Sequence, residues 1–268
     1  MNRIRMLVID PQNDFMDLDG AALPVGGAQA DMQRLVGFMD AMSQRISELV
    51  VTLDSHASVG IERTSFWVTC EGVEVDPFTA ITAAQAQRGM YAARNPALRA
   101  QAIGYLERLE AIAARTLIAW PVHCVLGTWG HNIAEPLAAR IAQWERQTFG
   151  RCEKLLKGLN PMTEQYSAFR AEVPLDDDPR TGNNDALMAR LAAGDELLVV
   201  AGEALSHCVA ASGEDMLAQM DDARLRNTVF LVDCMSPVSG FEAQAQQFLQ
   251  RLRAGGVRTM SAAQAARL

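Results

Sequence analysis

Apolar positions along this chain fall into two alternating rhythms. Short runs rich in Leu or β-branched residues stand at 6–9, 49–53, 116–120, 155–156, 197–200 and 229–232, with a further run at 257–260. Each is too short for a helix, so each reads as a strand, the last as an edge strand. Between them lie stretches with apolar residues three and four positions apart, at 29–46, 133–146, 186–193, 209–220 and 241–253. That is the spacing of an amphipathic helix. The alternation predicts crossover units: an α/β fold with a doubly wound, mostly parallel sheet of about six strands and helices on both faces. Punctuation agrees. Asn95 followed by Pro96 opens a helix carrying Leu98, Ala102, Leu106, Leu109 and Ile112 on one face, and Gly194 closes another. No repeat, low-complexity tract or linker interrupts the pattern, so residues 1–268 are expected to form a single domain.

One connection is longer than a crossover needs. Residues 57–95 show no sustained period yet carry Phe66, Trp67, Phe78, Met90 and Tyr91. Loops of that length in compact domains are lids or packed excursions, so this segment reads as an insertion after the second strand that covers the site or builds a subunit contact. A second loop, 172–184, contains Asp176, Asp177 and Asp178. It lacks the Gly and distal Glu of a calcium loop and reads as a solvated acidic turn.

Composition narrows the partners. A 268-residue chain that is 49% hydrophobic has ample material for a core. Its net charge of -8 argues against a nucleic-acid backbone, which is bound by clustered Lys and Arg, and favours a small molecule. No apolar run approaches membrane-spanning length and no basic-then-apolar leader is visible, so a cytoplasmic location is expected. The five cysteines are an odd number without a CxxC pair, which speaks against a disulfide framework and structural zinc.

In open α/β sheets, ligands bind outside the carboxyl ends of the strands, so the residues just past each run carry the candidate chemistry. The first run ends at Asp10 and the run at 155–156 is followed by Lys157. Cys208 comes seven residues after the run 196–201, at the head of a helical pattern, where backbone N–H groups and the helix dipole favour a thiolate. Together an acid, an ammonium and a thiol supply a base, a charge that shifts neighbouring groups, and a nucleophile. Groups placed at strand ends are also expected to hold little of the core. Asp54 and His56, at i and i+2, share a face if the strand continues, and His123 follows the run at 116–120. Mixed imidazole and carboxylate ligation suits Zn, Fe or Mn, and Glu62 is the next acidic residue after His56. Read singly, each residue has an ordinary alternative: a buried apolar cysteine, a solvated lysine, histidines hydrogen-bonded at strand ends.

The ordered set DPQNDF (10–15), D-x-H (54–56), WPVHCVLGTWG (120–130), KGLNP with YSAF (157–169) and GEALSHCV (202–209) resembles the cysteine-hydrolase branch of the isochorismatase-like superfamily, to which nicotinamidases belong. The resemblance implies a three-layer sandwich and a catalytic set of Asp10, Lys157 and Cys208. It further implies a divalent metal at Asp54, His56 and His123, with Glu62 standing where some nicotinamidases have another histidine. An oxyanion hole would use the backbone N–H groups of Ala204 and Cys208 next to a non-proline cis peptide at Glu203-Ala204. Phe15, Trp120 and Tyr166 would wall a pocket for a planar amide. No organic cofactor is implied, and a homo-oligomer is. The expected reaction is hydrolysis of a small amide through a thioester, releasing ammonia and a carboxylic acid. Vinyl-ether hydrolysis of the isochorismatase type, which does not need the cysteine, and a non-catalytic binding protein are the alternatives. Three features depart from the better-known nicotinamidases: the longer segment between His56 and His123, Glu62 itself, and Ser206 where an Asp is common.

Overall fold

The structure of the protein, a computed structural model, describes residues 3–268. Strand β1 (Ile4–Ile9) leads through α1 (Ala28–Met42) to β2 (Ile46–Asp54). The next stretch carries β3 (Trp67–Thr69), β4 (Thr79–Ile81), α2 (Ala83–Gln87), β5 (Tyr91–Ala93), α3 (Arg99–Ala113) and β6 (Leu117–Ala119). The chain then forms α4 (Leu137–Thr148), β7 (Cys152–Lys157), α5 (Asp185–Ala192) and β8 (Leu197–Gly202). It closes with α6 (Cys208–Gln219), α7 (Asp222–Arg226), β9 (Thr228–Leu231), α8 (Glu242–Ala254), β10 (Arg258–Met260) and α9 (Ala262–Ala265).

Six strands make one parallel sheet in the order β10, β9, β8, β1, β2, β7. Because successive side chains of a strand point to opposite faces, the sheet feeds two cores. From β1, Ile4, Met6 and Val8 pack with Met32 and Leu35 of α1 and with Ile141 and Trp144 of α4. Leu7 and Ile9 pack on the other face with Val209 and Met216 of α6 and Phe248 of α8. Each fully buried aliphatic side chain contributes roughly 1.5–3 kcal/mol, so the short, doubly apolar strands are the centre of stability. The direction of winding reverses between β1 and β8, and the crevice at that point opens at the carboxyl ends of the strands. No helix among the described residues is long and apolar enough to cross a membrane.

Two sequence expectations are corrected here. The run at 116–120 is not a strand of the main sheet: β6 pairs antiparallel with β4, inside the inserted region. The place beside β2 is taken by β7, in register from Leu49 opposite Cys152 to Asp54 opposite Lys157. The edge run at 257–260 supplies the sixth strand instead, as β10 beside β9. The inserted region is also no loose lid. Strands β3 and β5 pair antiparallel, and Phe66, Trp67 and Ile81 pack with Tyr105, Leu106 and Leu117 into a third core. Of the apolar face expected on α3, only Ile112 is exposed, while Ala102, Leu106 and Leu109 are buried. The acidic turn is mixed: Asp176 and Asp177 are exposed, but Asp178 is buried and accepts from Asn160 Nδ2 at 2.8 Å and Arg180 Nη2 at 2.7 Å.

Gly202 ends β8 with φ +117°, and a Cβ built there would lie 2.0 Å from the carbonyl oxygen of Ile9. Both the backbone conformation and the closeness of β1 require glycine. Gly202→Ala is therefore expected to cost about 3 kcal/mol or more, or to abolish soluble expression. Urea denaturation checks this, and a loss under about 1 kcal/mol would contradict it.

Candidate active site

Neighbouring strands β8, β1, β2 and β7 end side by side, and their ends deliver the candidate groups to one place. Asp10 follows β1 with φ 41°, the left-handed region. Its N–H donates to Thr52 Oγ1 at 3.0 Å, and the Thr52 hydroxyl donates back to Asp10 Oδ1 at 2.5 Å. Lys157, the last residue of β7, reaches inward between the strands. Its Nζ lies 2.9 Å from Asp10 Oδ2, 2.9 Å from Asp54 Oδ1, 3.0 Å from the carbonyl oxygen of Gln165 and 3.5 Å from Cys208 Sγ. Cys208 opens α6. Asp10, Thr52, Asp54, Lys157 and Cys208 are all buried.

Burial and charge compete in this group. Burial opposes the charge on Lys157, but Asp10 and then Asp54 outweigh it and hold the ammonium well above its usual range. Burial raises Asp10, an effect that Lys157 partly offsets. It also lifts the Cys208 thiol well above the usual range, with Lys157 pulling the other way. This corrects the expectation drawn from the helix N-terminus: the resting group is a thiol beside a carboxylate and an ammonium, not a preformed thiolate. Lys157 likewise corrects the expectation that strand-end groups hold little of the structure, because it neutralises two buried carboxylates.

The chain around the thiol leaves three backbone donors free. Backbone N–H groups of Glu203, Leu205, His207 and Val209 are all engaged, by Ile9, Ser236 and, twice, Ala204 carbonyls. Those of Ala204, Ser206 and Cys208 have no acceptor among the described residues. The Glu203-Ala204 peptide is cis. The Ala204 and Cys208 N–H groups border a small cleft whose lining includes Phe15, Trp120, Tyr166, Glu164, His207 and Cys208. Trp120 Nε1 donates to the Tyr166 hydroxyl at 2.9 Å. His207 lies 5.0 Å from the Trp120 ring and 4.6 Å from Phe241, and burial lowers its pKa to about 4. Ser206 Oγ accepts from Val238 N–H at 3.0 Å and shares a hydrogen bond with His207 Nδ1 at 2.9 Å. Glu164 is buried, and burial together with Glu62 raises it to about 7. Phe66 and Trp67, carried by the segment expected to cover the site, belong to the third core, and Phe78 reaches the cleft only through Trp120, 5.7 Å away.

Behind this cleft, Asp54, His56 and His123 present ligand atoms that all lie within 4.8 Å of one another. Asp54 Oδ2 is 2.7 Å from His56 Nε2 and 3.4 Å from His123 Nε2. His123 Nδ1 donates to the Pro121 carbonyl at 2.8 Å, which leaves Nε2 as its free nitrogen. His56 Nδ1 meets Glu62 Oε1 at 3.1 Å, while His56 Nε2 faces only the Asp54 carboxylate, out of line for a well-formed hydrogen bond. Two imidazoles and a carboxylate turned toward one another fit a divalent ion. Glu62 lies on the far nitrogen of His56, outside the three-residue group, where it orients the ring instead of joining the ligand set. Gly158 matters to this packing: with φ +72°, it lies where a Cβ would come 2.6 Å from His56 Cε1. Burial opposes a charge on His56, but Asp54 outweighs it and raises the ring to about 9, whereas burial and then Arg63 hold His123 down at about 4.

Several supporting residues escaped sequence reasoning. Gln12 accepts from Asp54 N–H at 2.7 Å and donates to Asp54 C=O at 2.8 Å, stitching the ends of β1 and β2. Its place inside DPQNDF was a usable signal. Thr52, Gln165, Glu164 and Arg63 carried none, because only strand register and loop closure bring them to the site.

No protein-family model matches the chain, and no curated protein sequence does. Among solved structures, the yeast nicotinamidase superposes with a TM-score of 0.65 at 19% identity over 96% of this chain and 99% of that one. A nicotinamidase/pyrazinamidase of Acinetobacter baumannii gives 0.63 at 18% identity, covering 98% of each chain. A pyrazinamidase of Pyrococcus horikoshii in complex with zinc gives 0.56 at 18%, covering 97% of this chain and 99% of that one. The chain shares their fold.

Removing a buried charge that others depend on is costly, so Lys157→Met is expected to destabilise the protein by about 3–5 kcal/mol. Thermal and urea melts measure this, and a loss below about 1 kcal/mol would contradict the bridging role. Of the five cysteines, Cys70 is exposed and the others are buried, so peptide mapping after limited iodoacetamide should find Cys70 labelled first and Cys208 later. Immediate labelling of Cys208 would mean a resting thiolate after all.

Proposed function

We propose that this protein is a cysteine-dependent hydrolase of small planar amides. The observation that carries the reading is the convergence of Asp10, Lys157 and Cys208 at a cleft walled by Phe15, Trp120 and Tyr166. The shared fold with nicotinamidases and pyrazinamidases supports it.

Asp10 takes the proton of the Cys208 thiol. Lys157 Nζ is 2.9 Å from the carboxylate and 3.5 Å from the sulfur. The negative charge therefore moves from oxygen to sulfur without leaving the field of the ammonium, which keeps the transfer affordable inside a dry site. The thiolate attacks the amide carbonyl carbon, and the unpaired N–H groups of Ala204 and Cys208 receive the oxyanion. One such donor is typically worth ~10²–10³ in rate. As the C–N bond breaks, protonated Asp10 gives its proton to the leaving nitrogen, releasing ammonia and leaving a thioester on Cys208. Asp10 then removes a proton from water, which attacks the thioester. The acid departs, and the proton returns to sulfur.

Asp54, His56 and His123 would hold a divalent ion such as zinc, which supplies an electrophilic contact for a ring nitrogen or an ordered water of the substrate. The chain's own residues orient that group: Glu62 and Asp54 fix His56, the Pro121 carbonyl fixes His123, and Lys157 ties Asp54 to the catalytic set. Vinyl-ether hydrolysis would leave the buried thiol beside Lys157 without a task, so amide hydrolysis is preferred.

Ammonia release from a panel of aromatic and heteroaromatic carboxamides tests the reading. Cys208→Ala and Asp10→Asn should each lower turnover by several orders of magnitude with melting curves little changed, and the double variant should lose much less than the product of the two. Full activity in Cys208→Ala would overturn it.

A further inference from the structure

Arg63 is a buried charge with unmet donors. The side chain is completely buried, yet its Nε and Nη2 have no hydrogen-bond partner. The Nε lies 3.2 Å from Glu62 Oε1, and Nη1 donates to the Pro121 carbonyl at 3.3 Å. The remaining contact is with His123: Nη1 hydrogen-bonds to the ring, 3.0 Å from Nε2 and closer still to Nδ1. Backbone pairing fixes this placement. Arg63 N–H donates to Gly60 C=O, while Trp120 N–H donates to Glu62 C=O and Thr64 N–H to Trp120 C=O. Residues 62–64 therefore run alongside the end of β6, next to the His123 loop.

A guanidinium has five N–H donors, and burying it with several unmet is expensive. This one stands against the edge of the His123 ring, its Nη1 within hydrogen-bond distance of Nε2, the nitrogen that ring offers to an ion, as well as of Nδ1. A fixed positive charge on a ligand nitrogen also repels a divalent ion approaching the same nitrogen, and little solvent is present to screen it.

We infer that Arg63 is a resident counter-cation of the Asp54/His56/His123 group. It holds His123 and balances Glu62, and a divalent ion enters only by displacing it. The site is thereby a weak, exchangeable one. This rests on the reading that the three residues form an ion site, and it adds what sets the affinity.

Zinc affinity, measured by competition with a chromophoric chelator at fixed pH, tests the inference without recourse to turnover. Arg63→Met should bind zinc at least tenfold more tightly than the natural protein, within the span by which outer-shell changes move metal affinity. Arg63→Lys, which keeps the charge, should stay within about threefold of it. Because Arg63→Met leaves Glu62 uncompensated, which by itself attracts a cation and can impair folding, the pair Glu62→Gln and Glu62→Gln/Arg63→Met provides the second comparison. The double variant should bind more tightly than Glu62→Gln alone. Equal or weaker zinc binding on loss of the arginine in both comparisons would overturn the proposal. Adding His56→Ala should abolish the tight binding of Arg63→Met. If it does not, or if no variant binds zinc, the ion-site reading itself is wrong and the counter-cation role falls with it.

Discussion

The ammonium of Lys157 holds this structure's chemistry together. It is one buried cation shared between two buried carboxylates, a backbone carbonyl and the thiol. Without it, Asp10 and Asp54 would be two negative charges facing each other away from water, and one would have to take up a proton. His56 and then Lys157 overcome burial and hold Asp54 well below the ordinary carboxylate range, while burial outweighs Lys157 at Asp10 and raises it. The imidazole beside Asp54 is what sets the two carboxylates apart, and the ammonium serves both. It also links the two halves of the site, since Asp54 faces Lys157 through Oδ1 and the imidazoles through Oδ2.

That link depends on strand register. Asp54 and Lys157 are partners across β2 and β7, and Asp10 stands at the end of the neighbouring β1. Sheet pairing is insensitive to local fluctuation because each strand is anchored in both cores, so three charges at adjacent strand ends inherit the rigidity of the sheet. The loops refine the arrangement. Gln12 ties the end of β1 to Asp54, and Asp14 accepts from Cys124 N–H at 2.7 Å, fastening the His123 loop to the turn after β1.

The inserted region has a different role from a lid. Its third core gives it packing of its own, and its first residues bring Glu62 and Arg63 to the histidines. Its contribution to the cleft is indirect, through the contact of Phe78 with Trp120. The length of the insertion is therefore absorbed mainly in a packed body beside the sheet, while two residues at its beginning alter the charge around Asp54, His56 and His123.

Local pattern was enough to specify the sheet's apolar strands, the helices on both faces and the strand-end positions of Asp10, Asp54, Lys157 and Cys208, because hydrophobic period and chain connectivity fix which ends of the strands face the same crevice. The GEALSHCV stretch likewise announced a thiol at the head of a helix. What the sequence did not contain was the balance of burial against charge. A helix N-terminus favours a thiolate, yet the depth at which Cys208 is buried reverses the outcome. Nor could period show that the run at 116–120 joins β4 in place of the main sheet, since a short apolar strand has no intrinsic partner. Glu62 was visible as a carboxylate near His56, but its position on the outer nitrogen, and the presence of Arg63 at His123, follow from how residues 62–64 pair with Trp120. Residue type and spacing determine which groups arrive at the crevice. Their depth, their partners and hence their protonation are set only when distant segments close around them, because desolvation and Coulomb energies depend on the whole surroundings and not on neighbours along the chain.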